Sequence, residues 1–153
     1  MYRMALDQIP NTRKHIRFKI FRNIGGDAQF QEVGKAFGVN ANADSRGIAM
    51  ADFDGDGGLD VFVAIQNSPD QLFWNQEAEG NWLTVVPRGT VSSTDAIGTR
   101  IEIVYGRNNK SVREIAGGTS FLSQDALSAS FGVGETATID TLSIRWPSGI
   151  FQS

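Results

Sequence analysis

Asp52, Asp54, Asp56 and Asp60 occupy positions 1, 3, 5 and 9 of the run Asp-Phe-Asp-Gly-Asp-Gly-Gly-Leu-Asp. Alternate spacing turns the first three carboxylates toward one point, and the glycines let the backbone fold tightly behind them. Four carboxylates that close repel one another unless a cation sits among them. The donor set is all oxygen, and Ca²⁺ is the expected occupant because it accepts about six to eight oxygens in flexible geometry. Mg²⁺ gives up its water reluctantly and is the weaker candidate. The backbone carbonyl of Gly58, at loop position 7, is the expected fifth protein ligand. A plain acidic surface turn has no need of a carboxylate at every second position.

An EF-hand shares the opening of this pattern. Its loop requires a bidentate Glu at position 12, where this chain has Val63, and amphipathic helices on either side. The flanks here are Gly47-Ile-Ala-Met-Ala51 and Val61-Phe-Val-Ala-Ile65, apolar runs of strand length. The loop is therefore expected to join two buried strands.

The elements that position it read as β. Helix signals are poor, and 17 glycines among 153 residues punctuate the chain with turns. The length suffices for one domain or two small ones. A net charge of −3 favours neither nucleic acid nor an acidic substrate in bulk. No aromatic set for base stacking lies beside a basic stripe, so nucleic-acid binding is not expected. With no cysteine there is neither a disulfide nor a thiolate metal site. No apolar run reaches membrane-spanning length, and no segment resembles a signal peptide. Residues 1–19 form a basic segment without an assignment, in which Arg3, Arg13, Lys14, Arg17 and Lys19 outnumber Asp7. Its charges alternate with Ile16, Phe18 and Ile20 as on the solvent face of a strand.

Two sets of motifs divide the chain near Gln76-Glu-Ala-Glu-Gly80. Ile20-Phe-Arg-Asn23 returns as Leu72-Phe-Trp-Asn75, 52 residues on, a period typical of blade or solenoid arrays. Residues Phe21–Phe30 with Glu32-Val33 resemble the end of an FG-GAP (VCBS-type) β-propeller repeat. Phe37-Gly-Val39, the run Gly47–Val63 and Asp70-Gln-Leu-Phe-Trp-Asn75 resemble the following repeat through its calcium loop. Residues 81–153 resemble an ASPIC/UnbV domain. This likeness is carried by Asn81-Trp-Leu83, Asp95-Ala-Ile-Gly-Thr-Arg100, Arg113-Glu114, Gly117–Gln124, Phe131-Gly-Val-Gly134 and Ile144-Arg-Trp-Pro-Ser-Gly149. Integrin α-chain propellers use a similar loop, so the resemblance also implies calcium. The expected fold is all-β: about one and a half blades of partial propeller material over 20–76, then a small antiparallel sandwich or barrel. One repeat cannot bury its own faces, so the chain is expected to be a fragment of a longer repeat protein.

The C-terminal half reads as a meander. Trp82–Val86 is an apolar run ended by Pro87. In Thr99–Tyr105, Ile101, Ile103 and Tyr105 share one face. Gly106-Arg-Asn-Asn109 is the expected hairpin turn, and Lys110–Ile115 the returning strand. Ala129–Val133 and Thr141–Trp146 continue it. Chemistry is sparse in this half. Serine catalysis needs a positioned base, and the one histidine, His15, reads as an ordinary residue. Asp95, Glu102, Glu114 and Asp125 show no pairing, and Arg113-Glu114 reads as a cross-strand charge pair. Trp74, Trp82 and Trp146 suit sugar stacking, but their apolar settings favour core packing.

The functional expectation is a calcium-binding, non-catalytic adhesion or scaffold module that recognises protein or glycan, outside the cell or in a periplasm. The alternative is an accessory domain of a hydrolase or of a secondary-metabolism enzyme. A cleft lined by Asp95, Arg100 and Gln124 would favour catalysis.

Overall fold

Residues 2–7, 17–25, 29–39, 43–76 and 79–153 are described by the computed structural model. His15, Arg13, Lys14 and Ile16 lie outside them, so the readings made of those residues stay untouched. Every regular element among the described residues is a strand. The sheets are small and antiparallel, and none closes into a barrel, which removes the barrel alternative.

Contacts group the chain into two compact units. One holds Met1–Gly47 with Phe62–Phe73, the other Ile48–Val61 with Trp74–Ser153. In the first, β1 (Tyr2–Asp7), β2 (Arg17–Gly25) and β3 (Gln29–Glu32) form an antiparallel sheet with β2 in the middle. Alternation in β2 works as the sequence implies: Phe18 and Ile20 are buried, and Lys19 between them is not. The Phe18 ring meets Phe73 at 5.7 Å between centroids. A tight turn follows β3, closed by the Val39 amide donating to the Gly34 carbonyl at 2.8 Å.

A second three-stranded sheet runs β4 (Ser45–Ala51), β5 (Asp60–Ile65), β6 (Gln71–Phe73), in that order. Val61, Val63 and Ile65 are buried, as expected of a strand flanking the acidic loop. The loop thus joins two β-strands and not two helices.

In the second unit, β7 (Asn81–Val85) pairs with β10 (Ala129–Gly134). A four-stranded sheet has the order β12 (Phe151–Gln152), β11 (Ile139–Arg145), β8 (Arg100–Tyr105), β9 (Asn109–Glu114). The β8–β9 hairpin closes where Gly106 and Asn108 take φ of 53° and 62°, backbone that Gly and Asn tolerate. Ile101 and Ile103 from β8 join Ile115, Ala129, Phe131 and Val133 in one buried cluster. Leu83, Val85, Leu142 and Ile144 pack around it, so both sheets face this core.

The edge of β4 matters for the site. β4 ends its sheet, and an open edge presents unpaired amides. Here the Ile48 amide donates to Ser123 Oγ at 3.0 Å and the Met50 amide to Asp125 Oδ1 at 2.8 Å. The Ala126 amide donates in turn to the Met50 carbonyl at 3.3 Å. Side chains two residues apart thus meet amides two residues apart, the interval at which a strand repeats its outward groups.

Candidate metal centre

The acidic loop is first a set of local hydrogen bonds. Asp52 accepts from the Gly55 amide through Oδ1 (2.7 Å) and from the Gly57 amide through Oδ2 (3.0 Å). Asp54 Oδ1 accepts from the Asp56 amide at 3.2 Å, and Asp56 Oδ1 from the Gly58 amide at 2.7 Å. Short Asp side chains commonly bond backbone a few residues on and so shape tight turns. Gly57, at φ 89°, also lies where a Cβ would come within 2.0 Å of the Trp82 ring. Only glycine meets both conditions.

Asp60 differs from the other three. It is 1 % exposed, and both of its oxygens are engaged across longer spans. Oδ2 accepts from the Phe53 amide and Oδ1 from the Asn75 amide, each at 2.9 Å. Its carboxylate therefore ties the loop entrance to the chain that leaves β6.

The fold brings one carboxylate oxygen from each of Asp52, Asp54 and Asp60 within 4.8 Å of one another. Asp56 stands outside that trio. Gly58 is buried and donates its amide to Asp56. A hard divalent cation fits this donor set. The ligands are all oxygen, three negative charges converge, and each oxygen holding an amide keeps a second lone pair.

Beside the loop lies a cavity of about 410 Å³ whose lining includes Asp52, Leu59, Trp82, Arg113, Glu114 and Asp125. Asp95, Arg100 and Gln124 do not line it. Glu114 stands opposite Arg100 in the β8–β9 register. The expectation that the tryptophans fill the core is corrected for two of them. Trp74 is 49 % and Trp82 45 % exposed. Trp74 makes an edge contact with Phe53 at 6.5 Å, and Trp82 lies against Gly57. Trp146 is half-buried, its indole N–H donating to Gln152 Oε1 at 2.5 Å. The roles of Gly57, Ser123 and Asp125 were not legible in the sequence. Each depends on a contact between distant segments that no local pattern announces.

Comparison with known proteins agrees with the two sets of motifs. Residues 17–63 match the FG-GAP-like repeat, and residues 89–153 match the family described as ASPIC and UnbV. The chain carries an FG-GAP-like repeat followed by an ASPIC/UnbV domain. Cartilage acidic protein 1 of Homo sapiens is 30 % identical over 136 residues, 86 % of this chain and 20 % of that protein. The Mus musculus protein of that name is likewise 30 % identical over 136 residues, 21 % of its length. The Xenopus tropicalis one is 29 % identical over the same span. The chain thus spans about a fifth of the length of the curated relatives it matches. The tandem places the acidic loop in the repeat and the cavity's Arg113, Glu114 and Asp125 in the UnbV part.

Proposed function

We propose that this tandem is a calcium-stabilised, non-catalytic interaction module acting in adhesion or scaffolding, outside the cell or in a periplasm. The observation that carries this reading is the convergence of Asp52, Asp54 and Asp60 on one point at the β4–β5 bend. Asp56 and the Gly58 carbonyl are the remaining proposed ligands. When bound, Ca²⁺ would supply a positive centre that neutralises the loop acids. The protein's own part is to hold the carboxylates in place through the Gly55, Gly57, Phe53 and Asn75 amides. A calcium-rich milieu suits such a site, which is what supports the extracytoplasmic placement. Asp95, Arg100 and Gln124, the residues expected to mark a hydrolase cleft, do not line the cavity beside the loop.

Isothermal titration with CaCl₂, together with thermal melts in CaCl₂ and in EDTA, tests the reading. Saturable binding and a higher melting point in calcium are expected, since a ligand that binds only the folded state stabilises it. Identical melts and no binding heat would refute it. Pull-down of glycans or proteins on the calcium-loaded form then addresses partners.

A further inference from the structure

We propose that the cavity beside the loop binds a neutral sugar ring, stacked on the Trp82 indole and hydrogen-bonded by Asp125, Glu114 and Arg113. This rests on the interaction-module reading and names its ligand class, but it does not require the loop to hold a metal.

Shape and surface come first. A cavity of about 410 Å³ lies within the range of small-ligand sites, on the order of 300–1,000 Å³. One of its walls is an indole that stays 45 % exposed while Ile101, Ile103 and Phe131 fill the core. The bare Cα of Gly57 lies against that ring, which fixes it as a flat apolar platform.

The polar groups of the lining carry spare capacity. Asp125 spends Oδ1 on the Met50 amide at 2.8 Å; among the described residues its Oδ2 has no partner. The Glu114 carboxylate has none among them either. The Arg113 guanidinium sits 5.4 Å over the Phe131 ring and gives one N–H to the Val112 carbonyl at 2.9 Å. That leaves most of its five donors for a ligand.

The mixture of charges selects the class. Asp52 also lines the cavity, but both of its oxygens already accept loop amides. A cation would gain from the aromatic ring and the carboxylates while meeting Arg113 in the same lining. An anion would meet Glu114 and Asp125. A neutral polyhydroxylated ring uses acceptors and donors at once and offers an apolar face to the indole.

The test titrates the full chain with the methyl glycosides of glucose, galactose, mannose and N-acetylglucosamine, and with tetramethylammonium as a cationic probe, in CaCl₂ and in EDTA. The NMR signal of the Trp82 indole N–H is the readout. At least one glycoside is expected to shift it saturably. Asp125→Asn keeps an oxygen for the Met50 amide but replaces the second acceptor. This variant and Glu114→Gln are each expected to weaken binding at least about tenfold without a change in melting point. The proposal is overturned if no glycoside moves the signal, if Asp125→Asn binds like the parent, or if only tetramethylammonium binds. Calcium binding without sugar binding overturns this inference alone, whereas sugar binding without calcium binding overturns only the metal reading.

Discussion

Replacing Asp60 with Ala separates what the loop does for the fold from what it does for a metal. The Asp60 carboxylate is buried and accepts the Phe53 and Asn75 amides, each at 2.9 Å. Alanine leaves both donors without a partner, and a buried unsatisfied donor costs about 1–3 kcal/mol. These amides are only partly buried, so the lower half of that range applies and the two together cost about 2–4 kcal/mol. In a chain of this size 1 kcal/mol moves the melting point by about 2–4 °C, which gives a fall of about 4–16 °C. Because the loss is of hydrogen bonds to protein, the fall is expected in EDTA as well as in calcium. Asp60→Asn keeps one acceptor and turns an N–H toward the other amide, so it is expected to lie in between. Circular dichroism melts of the three proteins in EDTA measure this. A melting point for Asp60→Ala within about 1 °C of the parent would refute the clamp.

Three further outcomes are expected. Asp54→Ala removes an exposed carboxylate with one local bond; it should weaken calcium binding about 10- to 100-fold by titration yet barely move the melt in EDTA. Equal destabilisation with and without calcium would contradict its role as a ligand. Gly57→Ala should cost about 2–4 kcal/mol in a denaturant melt, since it combines left-handed backbone with an overlap on the Trp82 ring. An unchanged midpoint would remove that ring from the loop. Ser123→Ala should speed amide hydrogen exchange at Ile48 and leave Met50, held by Asp125, protected. Equal acceleration at both would mean the edge is not capped residue by residue.

Much of the architecture was legible because the signals were local. Strict alternation across Arg100–Tyr105, a Gly-containing turn and a returning strand announce the β8–β9 hairpin, and Ile101 and Ile103 are buried as that pattern requires. The acidic loop was equally plain, since its glycines and carboxylates follow one another in the chain. The tryptophans misled, because an aromatic residue at a strand end looks the same whether it faces a core or a cavity. What decided Trp82 was the absence of a side chain at residue 57, on a different element. Asp60 looked like one more ligand of four. Its second task involves Asn75, an amide whose position depends on the chain leaving β6.

These long-range contacts explain why Ile48–Val61, the acidic loop with the adjoining parts of β4 and β5, groups with the C-terminal residues. Asp60 reaches the Asn75 amide, Gly57 receives Trp82, and Ser123 and Asp125 reach the amides of Ile48 and Met50. In a repeat array the outer amides of β4 would await a neighbouring strand. Here a hydroxyl and a carboxylate at matching two-residue intervals take the acceptor positions that such a strand would offer. Strand addition at Ile48 and Met50 is blocked by side chains, and the acid that blocks it keeps one oxygen facing the cavity's needs. The same segment therefore ends the sheet and furnishes a wall of the site, so a substitution at Asp125 must be read against both tasks. Asn is the informative replacement because it preserves the first task and impairs the second.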